Sequence, residues 1–210
     1  MRLPIVASLA RLPWLAVLTA LIVGMSSPDT CEAIDAQGIF LRAGGSVVVV
    51  VGYDAYKRPG SFGTGFFALD SHTVVTNLHV INGASSIEVK LPTGTMSKVV
   101  EVTRTSKAYD LAILRIEGSG SPLDLATTKP QVGEEILAIG HPKGLERTLS
   151  TGVVSGIRKV KNETLLYQIT APISPGSSGG PILNQQGAVL GLATFYVLDG
   201  QNLNFAVPAS

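Results

Sequence analysis

Three residues of this sequence are of the types that can together turn a hydroxyl into a nucleophile. His79 lies in VVTNLHVING, Asp110 opens DLAILRI, and Ser178 lies in PGSSGGP, so that 31 and 68 residues separate them. A hydroxyl is a weak nucleophile that needs a base, and the base needs a carboxylate to orient it. Each residue alone is more simply a structural residue, so the prediction of acyl-transfer chemistry rests on the three together.

The serine stands in a loop that contains only proline, glycine and serine, residues 175–181. A flexible turn is one interpretation of these seven residues. Acyl transfer, however, needs backbone N–H groups that point at the oxygen that becomes negative. Gly176 has no Cβ and therefore permits the backbone orientation that this requires. We therefore predict that this loop turns the Gly176 N–H towards such an oxygen.

Short apolar segments, separated by turn residues, must position these side chains. Valine and isoleucine dominate these segments, and β-branched residues are typical of strands. The sequence predicts an all-β fold of two sets of about six short strands, which form two small β-barrels or sandwiches with the active site in the cleft between them. Residues 34–120 would form the first barrel with the histidine and the aspartate, 121–133 a linker, and 134–210 the second barrel with the serine. No helical period is visible here except for one turn near His79.

Composition limits the kinds of partner that we expect. The formal net charge is only +1. A surface that binds nucleic acid needs a cluster of basic residues, so we expect polypeptide substrates and no nucleic-acid partner. No cysteine, histidine or carboxylate has metal-ligand spacing, so we expect neither a metal nor a cofactor.

The N-terminus predicts export. Arg2 and Arg11 precede the apolar run of residues 12–23, which is too short and too interrupted by proline for a membrane span. Cys31-Glu32-Ala33 offers small residues for cleavage after Ala33. Residues 1–33 are therefore interpreted as a signal peptide of a periplasmic or secreted protein without a membrane span after cleavage. An uncleaved N-terminal anchor is the alternative.

Eight motifs, in order, resemble the HtrA (DegP-like) branch of the trypsin-fold serine proteases. They lie within residues 46–208 and read GTGFF, TNLHVI, DLAIL, AIGHPKGL, STGVVSGIR, PGSSGGPILN, GLATF and LNFAVP. The resemblance implies two six-stranded antiparallel β-barrels and endoproteolysis of exported, often misfolded, polypeptides without a cofactor. By motif, His79 would be the general base, Asp110 its orienting carboxylate and Ser178 the nucleophile. The N–H groups of Gly176 and Ser178 would form the oxyanion hole.

The same resemblance suggests how a substrate binds. The Thr194 hydroxyl would support the aspartate, and Thr194, Phe195 and Tyr196 would pair with an extended substrate as an added strand. Ile173 would line the primary pocket, and its neighbours Pro172 and Ser174 carry no acid. We therefore expect a small or medium aliphatic residue before the cleaved bond, with Tyr196 narrowing the pocket mouth.

Two departures from the resemblance concern assembly and activity. The sequence stops at Ser210 without a PDZ domain, either as a natural short product or through truncation, and without that domain no activation through it is expected. A homotrimer is an open expectation, with Ile39, Phe40 and Leu41 as apolar contacts. Besides an active endopeptidase, the sequence leaves open a processing enzyme with one substrate and a catalytically silent or resting-inactive peptide-binding or chaperone module that uses the same cleft.

Overall fold

Twelve strands make up most of the part of the chain that the structure describes. The computed structural model describes residues 34–141, 147–160, 164–194 and 204–209. The strands are β1 (Val47–Tyr53), β2 (Pro59–Phe67), β3 (Thr73–Asn77), β4 (Ser86–Lys90), β5 (Met96–Ser106), β6 (Leu111–Ile116), β7 (Glu135–Gly140), β8 (Thr148–Lys159), β9 (Leu165–Ile169), β10 (Pro181–Leu183), β11 (Val189–Thr194) and β12 (Asn204–Pro208). Two α-helices, α1 (Ala36–Ala43) and α2 (Leu78–Ile81), and a 3-10 turn at Gly44–Ser46 complete the assigned elements.

Each half of the described chain closes into an antiparallel barrel. The first has the strand order β1-β2-β3-β6-β5-β4 and the second β10-β11-β12-β9-β8-β7. Successive side chains of a strand point to opposite faces, so every second residue enters the barrel. Val48, Val50 and Leu114 fill the first barrel in this way, and Ile136 and Ile169 the second. The prediction of an all-β double barrel is confirmed.

A third apolar core joins the two barrels. Phe66 and Val75 enter it from the first barrel, and Leu137 and Leu192 from the second. Residues between the barrels also bridge them, because Leu123 N–H donates to Phe67 and Ala126 N–H to Val189. The linker is therefore bound to both barrels along its length.

Helix α1 was not predicted, and it contributes to this joining core. Its first turn is capped by Asp35, whose side chain accepts a hydrogen bond from Gly38 N–H at 2.8 Å. Ile39 and Ala43, four residues apart, form its buried face. Ile39 is completely buried in its own chain, whereas Leu41 is 72% exposed. Ile39 is therefore not available as a contact between subunits, contrary to its assignment in the trimer hypothesis.

Some predicted features lie outside the described residues. These are the signal peptide at residues 1–33 and the substrate-binding residues Phe195 and Tyr196. Across the described ranges, no helix is both long enough and apolar enough to span a membrane.

Candidate active site

Neighbouring strands of the first barrel place His79 beside Asp110. Helix α2, with His79, follows β3, and Asp110 immediately precedes β6, which pairs with β3. The His79 backbone N–H donates to Asp110 Oδ1 at 2.8 Å, and His79 Nδ1 lies 2.5 Å from Asp110 Oδ2. The two side chains are 48% and 33% exposed. The contact fixes the imidazole ring by its Nδ1 edge and leaves Nε2 as the nitrogen that can act as a base.

An unusual backbone conformation aims the aspartate. Asp110 has φ of +48°, in the left-handed region that aspartate visits more readily than most residues. Its carbonyl oxygen accepts hydrogen bonds from Asn77 Nδ2 at 2.8 Å and from Leu78 N–H at 3.0 Å. Asn77 is fully buried. Both donors hold the turn so that the carboxylate faces the histidine.

The second barrel adds a contact to the same carboxylate. Thr194, at the end of β11, donates its hydroxyl to Asp110 Oδ2 at 3.4 Å. Thr194 is buried, and it is the residue in which sequence analysis expected such support. The aspartate is therefore held by groups from both barrels.

The loop that contains Ser178 has two glycines in the left-handed region. Gly176 has φ of +96° and Gly179 of +85°, and a Cβ on Gly179 would overlap the backbone of Thr64. Side chains are strained in this region, which explains the glycines. In the described part of the chain, the N–H groups of Gly176 and Ser178 have no acceptor, whereas Ser177, Gly179 and Gly180 each donate to a carbonyl. The two amides can therefore bind an external oxygen.

Thr64, on β2 of the first barrel, holds this loop in place. Its N–H donates to the Ser178 carbonyl at 2.8 Å, and its hydroxyl donates to the Gly176 carbonyl at 2.6 Å. The hydroxyl also accepts from the His141 N–H at 3.0 Å. Sequence reasoning missed Thr64 and Asn77, because a threonine in a strand and an asparagine before a helix are common.

Ser178 and the histidine helix border the same glycine. A Cβ on Gly63 would meet Val80, next to His79, at 2.5 and 2.8 Å, and the Ser178 carbonyl oxygen at 3.1 Å. Ser178 is 5% exposed. No hydrogen bond joins its hydroxyl to His79 among the described residues. Such contacts are often long in ligand-free enzymes and shorten when substrate binds.

A pocket of about 310 Å³ lies in the second barrel beside the serine loop. Ile173 lines it, together with Ile139, Leu149, Ala138 and Ala193. Its polar lining comes from Thr148, Ser150, Ser174 and Ser177, and the described lining residues include no charged side chain. The pocket suits an uncharged side chain.

Comparison with known proteins places this architecture in a family. The trypsin-like peptidase domain matches residues 63–192, more than half of the chain. HhoA of Synechocystis sp., named as a serine protease, is 36% identical over 72% of this chain and 41% of its own length. A periplasmic serine endoprotease, DegP-like, of Pseudomonas savastanoi pv. phaseolicola is 35% identical over 74% of this chain and 34% of its own length.

The fold also matches a solved structure. The serine endoprotease from Yersinia pestis aligns with a TM-score of 0.73 and 28% identity, over 84% of this chain and 63% of that chain. The chain spans about two fifths of the length of HhoA. From the matching domain, the relatives and the shared double barrel, the chain belongs to the trypsin-like peptidase family, on its HtrA/DegP-like branch.

Proposed function

We propose that this protein is a serine endopeptidase that cleaves polypeptides through a covalent acyl-enzyme. The observation that carries the proposal is the contact of 2.5 Å between His79 Nδ1 and Asp110 Oδ2. The N–H groups of Gly176 and Ser178, which have no acceptor among the described residues, support it. An oriented base and an oxyanion site are the two features that activate a serine for acyl transfer.

Ser178 acts as the nucleophile and His79 as the base. His79 Nε2 takes the proton from Ser178 Oγ as the oxygen attacks the substrate carbonyl carbon. The imidazolium that forms keeps its Nδ1 proton towards Asp110 Oδ2, and the negative carboxylate stabilises it. The proton that Nε2 took from the serine then passes to the leaving amine. Water, deprotonated by His79, hydrolyses the acyl-enzyme in the second half of the reaction.

The N–H groups of Gly176 and Ser178 bind the oxygen of the tetrahedral intermediate. Donors that are fixed before the reaction stabilise developing charge without reorganisation, and one such donor is typically worth ~10²–10³-fold in rate. The Thr64 hydroxyl contributes indirectly, because its bond to the Gly176 carbonyl helps fix that loop.

The pocket beside the serine loop binds the residue before the cleaved bond. Its wall of Ile139, Leu149 and Ile173 favours an aliphatic side chain, and the described lining has no carboxylate to pair with lysine or arginine. We therefore propose valine, alanine or leucine at this position. Profiling a peptide library checks this preference, and dominant cleavage after arginine or phenylalanine would contradict it.

Exported polypeptides, including misfolded ones, are the proposed substrates. The support is the apolar run near the N-terminus and the similarity to a protein named as a periplasmic endoprotease. We expect the substrate backbone to pair with the end of β11, at Thr194. There β12 pairs with β11 on one side, whereas β10, on the other side, pairs with it only as far as Leu192.

A fluorophosphonate probe tests the proposed chemistry, since it reacts only with an activated serine. We expect stoichiometric labelling of the full-length protein and none of Ser178→Ala. His79→Ala should reduce the labelling rate by ~10³-fold or more, in line with loss of a triad member. Ser71→Ala, which removes an exposed serine in a turn of the first barrel, is the control and should be labelled at the normal rate.

Labelling at another serine, or labelling that survives Ser178→Ala, would disprove the assignment. A folded protein that binds peptides in the cleft but reacts with no probe would instead be a silent peptide-binding module.

A further inference from the structure

A second groove, of about 460 Å³, opens on the first barrel where β1, β4 and β5 meet. We call it the lysine groove and define it by Tyr53, Lys57, Ser85, Ser86, Glu88 and Lys98. Nothing in the proposed mechanism uses these residues. Its size and polar lining are suited to a few residues of an extended peptide.

The lysine groove presents excess positive charge. Lys57 and Lys98 are exposed, and no carboxylate of the described residues lies within ion-pair distance of either. Glu88, the one carboxylate that lines the groove, lies opposite Lys98 in the pairing of β4 with β5 and keeps its negative charge. Two lysines against one carboxylate leave the groove with a net positive charge that can attract an acidic ligand.

Strand β2 connects the groove with the nucleophile. Thr64 of β2 contacts Ser178, and Pro59, five residues earlier on the strand, pairs with Tyr53 at the groove. At roughly 3.3 Å per residue, this places the groove about 16 Å from the serine loop. An extended substrate covers the same distance in about five residues.

The position of His79 decides which end of the substrate reaches the groove. The histidine must protonate the leaving amine, so residues after the cleaved bond lie on its side of the cleft. Ser85 follows His79 by six residues and donates its N–H to the Tyr53 carbonyl at 2.7 Å. The pocket for the residue before the bond lies in the other barrel.

We propose that the lysine groove binds acidic residues of the polypeptide substrate, about four to six residues beyond the cleaved bond. This inference rests on the proposed endopeptidase function and adds a substrate class to it. The basis is charge complementarity: two lysines that have no ion-pair partner among the described residues line a groove that lies about five residues along β2 from the serine loop.

A matched pair of fluorogenic peptides tests the groove. Both have valine before the cleaved bond, and residues four to six after it are Asp-Glu-Asp in one peptide and Asn-Gln-Asn in the other. At low salt we expect kcat/KM to be about three- to tenfold higher for the acidic peptide, mainly through KM, as for two exposed ion pairs. The ratio should fall towards one in 0.5 M salt, because exposed charges are screened.

The double variant Lys57→Glu/Lys98→Glu should invert this ratio, so that the acidic peptide becomes the poorer substrate. Lys129→Glu, an exposed lysine of the linker, makes the same kind of charge change outside the groove and should keep the wild-type ratio. Because each ratio is taken within one protein, a general loss of activity cancels. A wild-type ratio of one, or a ratio that the double variant leaves unchanged, would overturn the proposal.

A binding measurement separates the groove from the chemistry. Fluorescein-labelled versions of both peptides are titrated against full-length Ser178→Ala, with and without the two charge reversals. Preferential binding of the acidic peptide that the reversals remove would support the groove even if the wild type cleaves neither peptide, in which case only the endopeptidase proposal fails. Equal binding of the two peptides would overturn the groove while leaving any observed cleavage intact.

Discussion

At the scale of single residues, the function depends on a few atoms that hold Asp110 in a conformation it would not adopt alone. The left-handed backbone costs roughly 1–2 kcal/mol for a residue with a side chain. Asn77 and Leu78 offset that cost through two hydrogen bonds to the Asp110 carbonyl. Asn77 touches no reacting atom in this arrangement. It is a positioning residue, which acts on His79 through the aspartate.

Asn77→Ala should therefore impair both catalysis and folding. We expect kcat to fall about 10- to 100-fold, less than the ~10⁴-fold typical of losing a triad carboxylate. Unfolding free energy should fall by about 1–3 kcal/mol, because a buried hydrogen bond is lost. Steady-state kinetics and denaturant unfolding measure the two quantities.

A double-mutant cycle distinguishes positioning from a general structural effect. If Asn77 acts through Asp110, then Asn77→Ala should change kcat little in the background of Asp110→Ala. Equal fold losses in the two backgrounds would show that Asn77 acts on activity by another route.

Gly176→Ala tests the oxyanion site. The new Cβ opposes φ of +96°, so the loop should turn and withdraw one N–H group. We expect kcat to fall by ~10²–10³-fold with a smaller change in KM. Gly133→Ala is a matched control, because Gly133 has φ of +94° and no atom lies within 4 Å of the point that its Cβ would occupy. It should show similar backbone strain with normal kcat; a normal kcat for Gly176→Ala would refute the oxyanion assignment.

At the scale of elements, β2 has three tasks along nine residues. Its first residue, Pro59, pairs with Tyr53 at the lysine groove, Thr64 holds the serine loop, and Phe66 enters the core between the barrels. Thr64 and Phe66 are two residues apart and therefore lie on the same face of β2, which is turned to the second barrel. The nucleophile loop belongs to the second barrel but takes its shape partly from the first.

Thr64→Val tests whether the shape of the serine loop depends on the first barrel. Valine keeps the shape of threonine and removes only the hydroxyl interactions. We expect a loss of about 1–3 kcal/mol in stability, because the buried Gly176 carbonyl loses its donor. The kcat value should fall about tenfold, short of the ~10²–10³-fold for complete loss of an oxyanion donor. The His72 N–H, and then the Thr73 hydroxyl, lower the pKa of Asp70. Thr73→Val removes this buried hydroxyl at the start of β3 and should cost stability without lowering kcat. Equal kcat losses in the two variants would contradict the role of the Thr64 hydroxyl in holding the serine loop.

Strands were easier to predict from the sequence than the contacts between them. The alternating segment SIEVK predicted β4 at Ser86–Lys90, and apolar runs located most of the other strands within a few residues. Strand β2 begins at Pro59, five residues before the apolar run that starts at Thr64. Helix α1 was missed because eight residues give barely two helical turns, and its stability comes from Ile39 and Ala43 packing on both barrels. The bond from Thr64 to Gly176 spans 112 residues, a distance over which no local pattern carries information.

At the scale of the whole molecule, the cleft exists because the barrels are fixed relative to each other. The carboxylate of Asp110 contacts His79 of the first barrel and accepts a hydrogen bond from Thr194 of the second. A small rotation between barrels would separate Thr64 from the serine loop and Thr194 from the aspartate together. The apolar core between the barrels, which includes Ile39 of α1, opposes such a rotation because interiors are closely packed.

Ile39→Ala should therefore weaken both stability and catalysis, although Ile39 lies on a helix that carries no proposed catalytic group. Removing a completely buried isoleucine leaves a cavity and should cost about 2–5 kcal/mol in unfolding free energy. Leu41→Ala, on the same helix but 72% exposed, should change it by less than about 0.5 kcal/mol. Denaturant midpoints measure this difference, and fluorophosphonate labelling well below each midpoint measures the active site. Slower labelling of folded Ile39→Ala alone would show that α1 fixes the alignment of the barrels; normal labelling despite the lost stability would mean that the hydrogen bonds of Thr64 and Thr194 suffice.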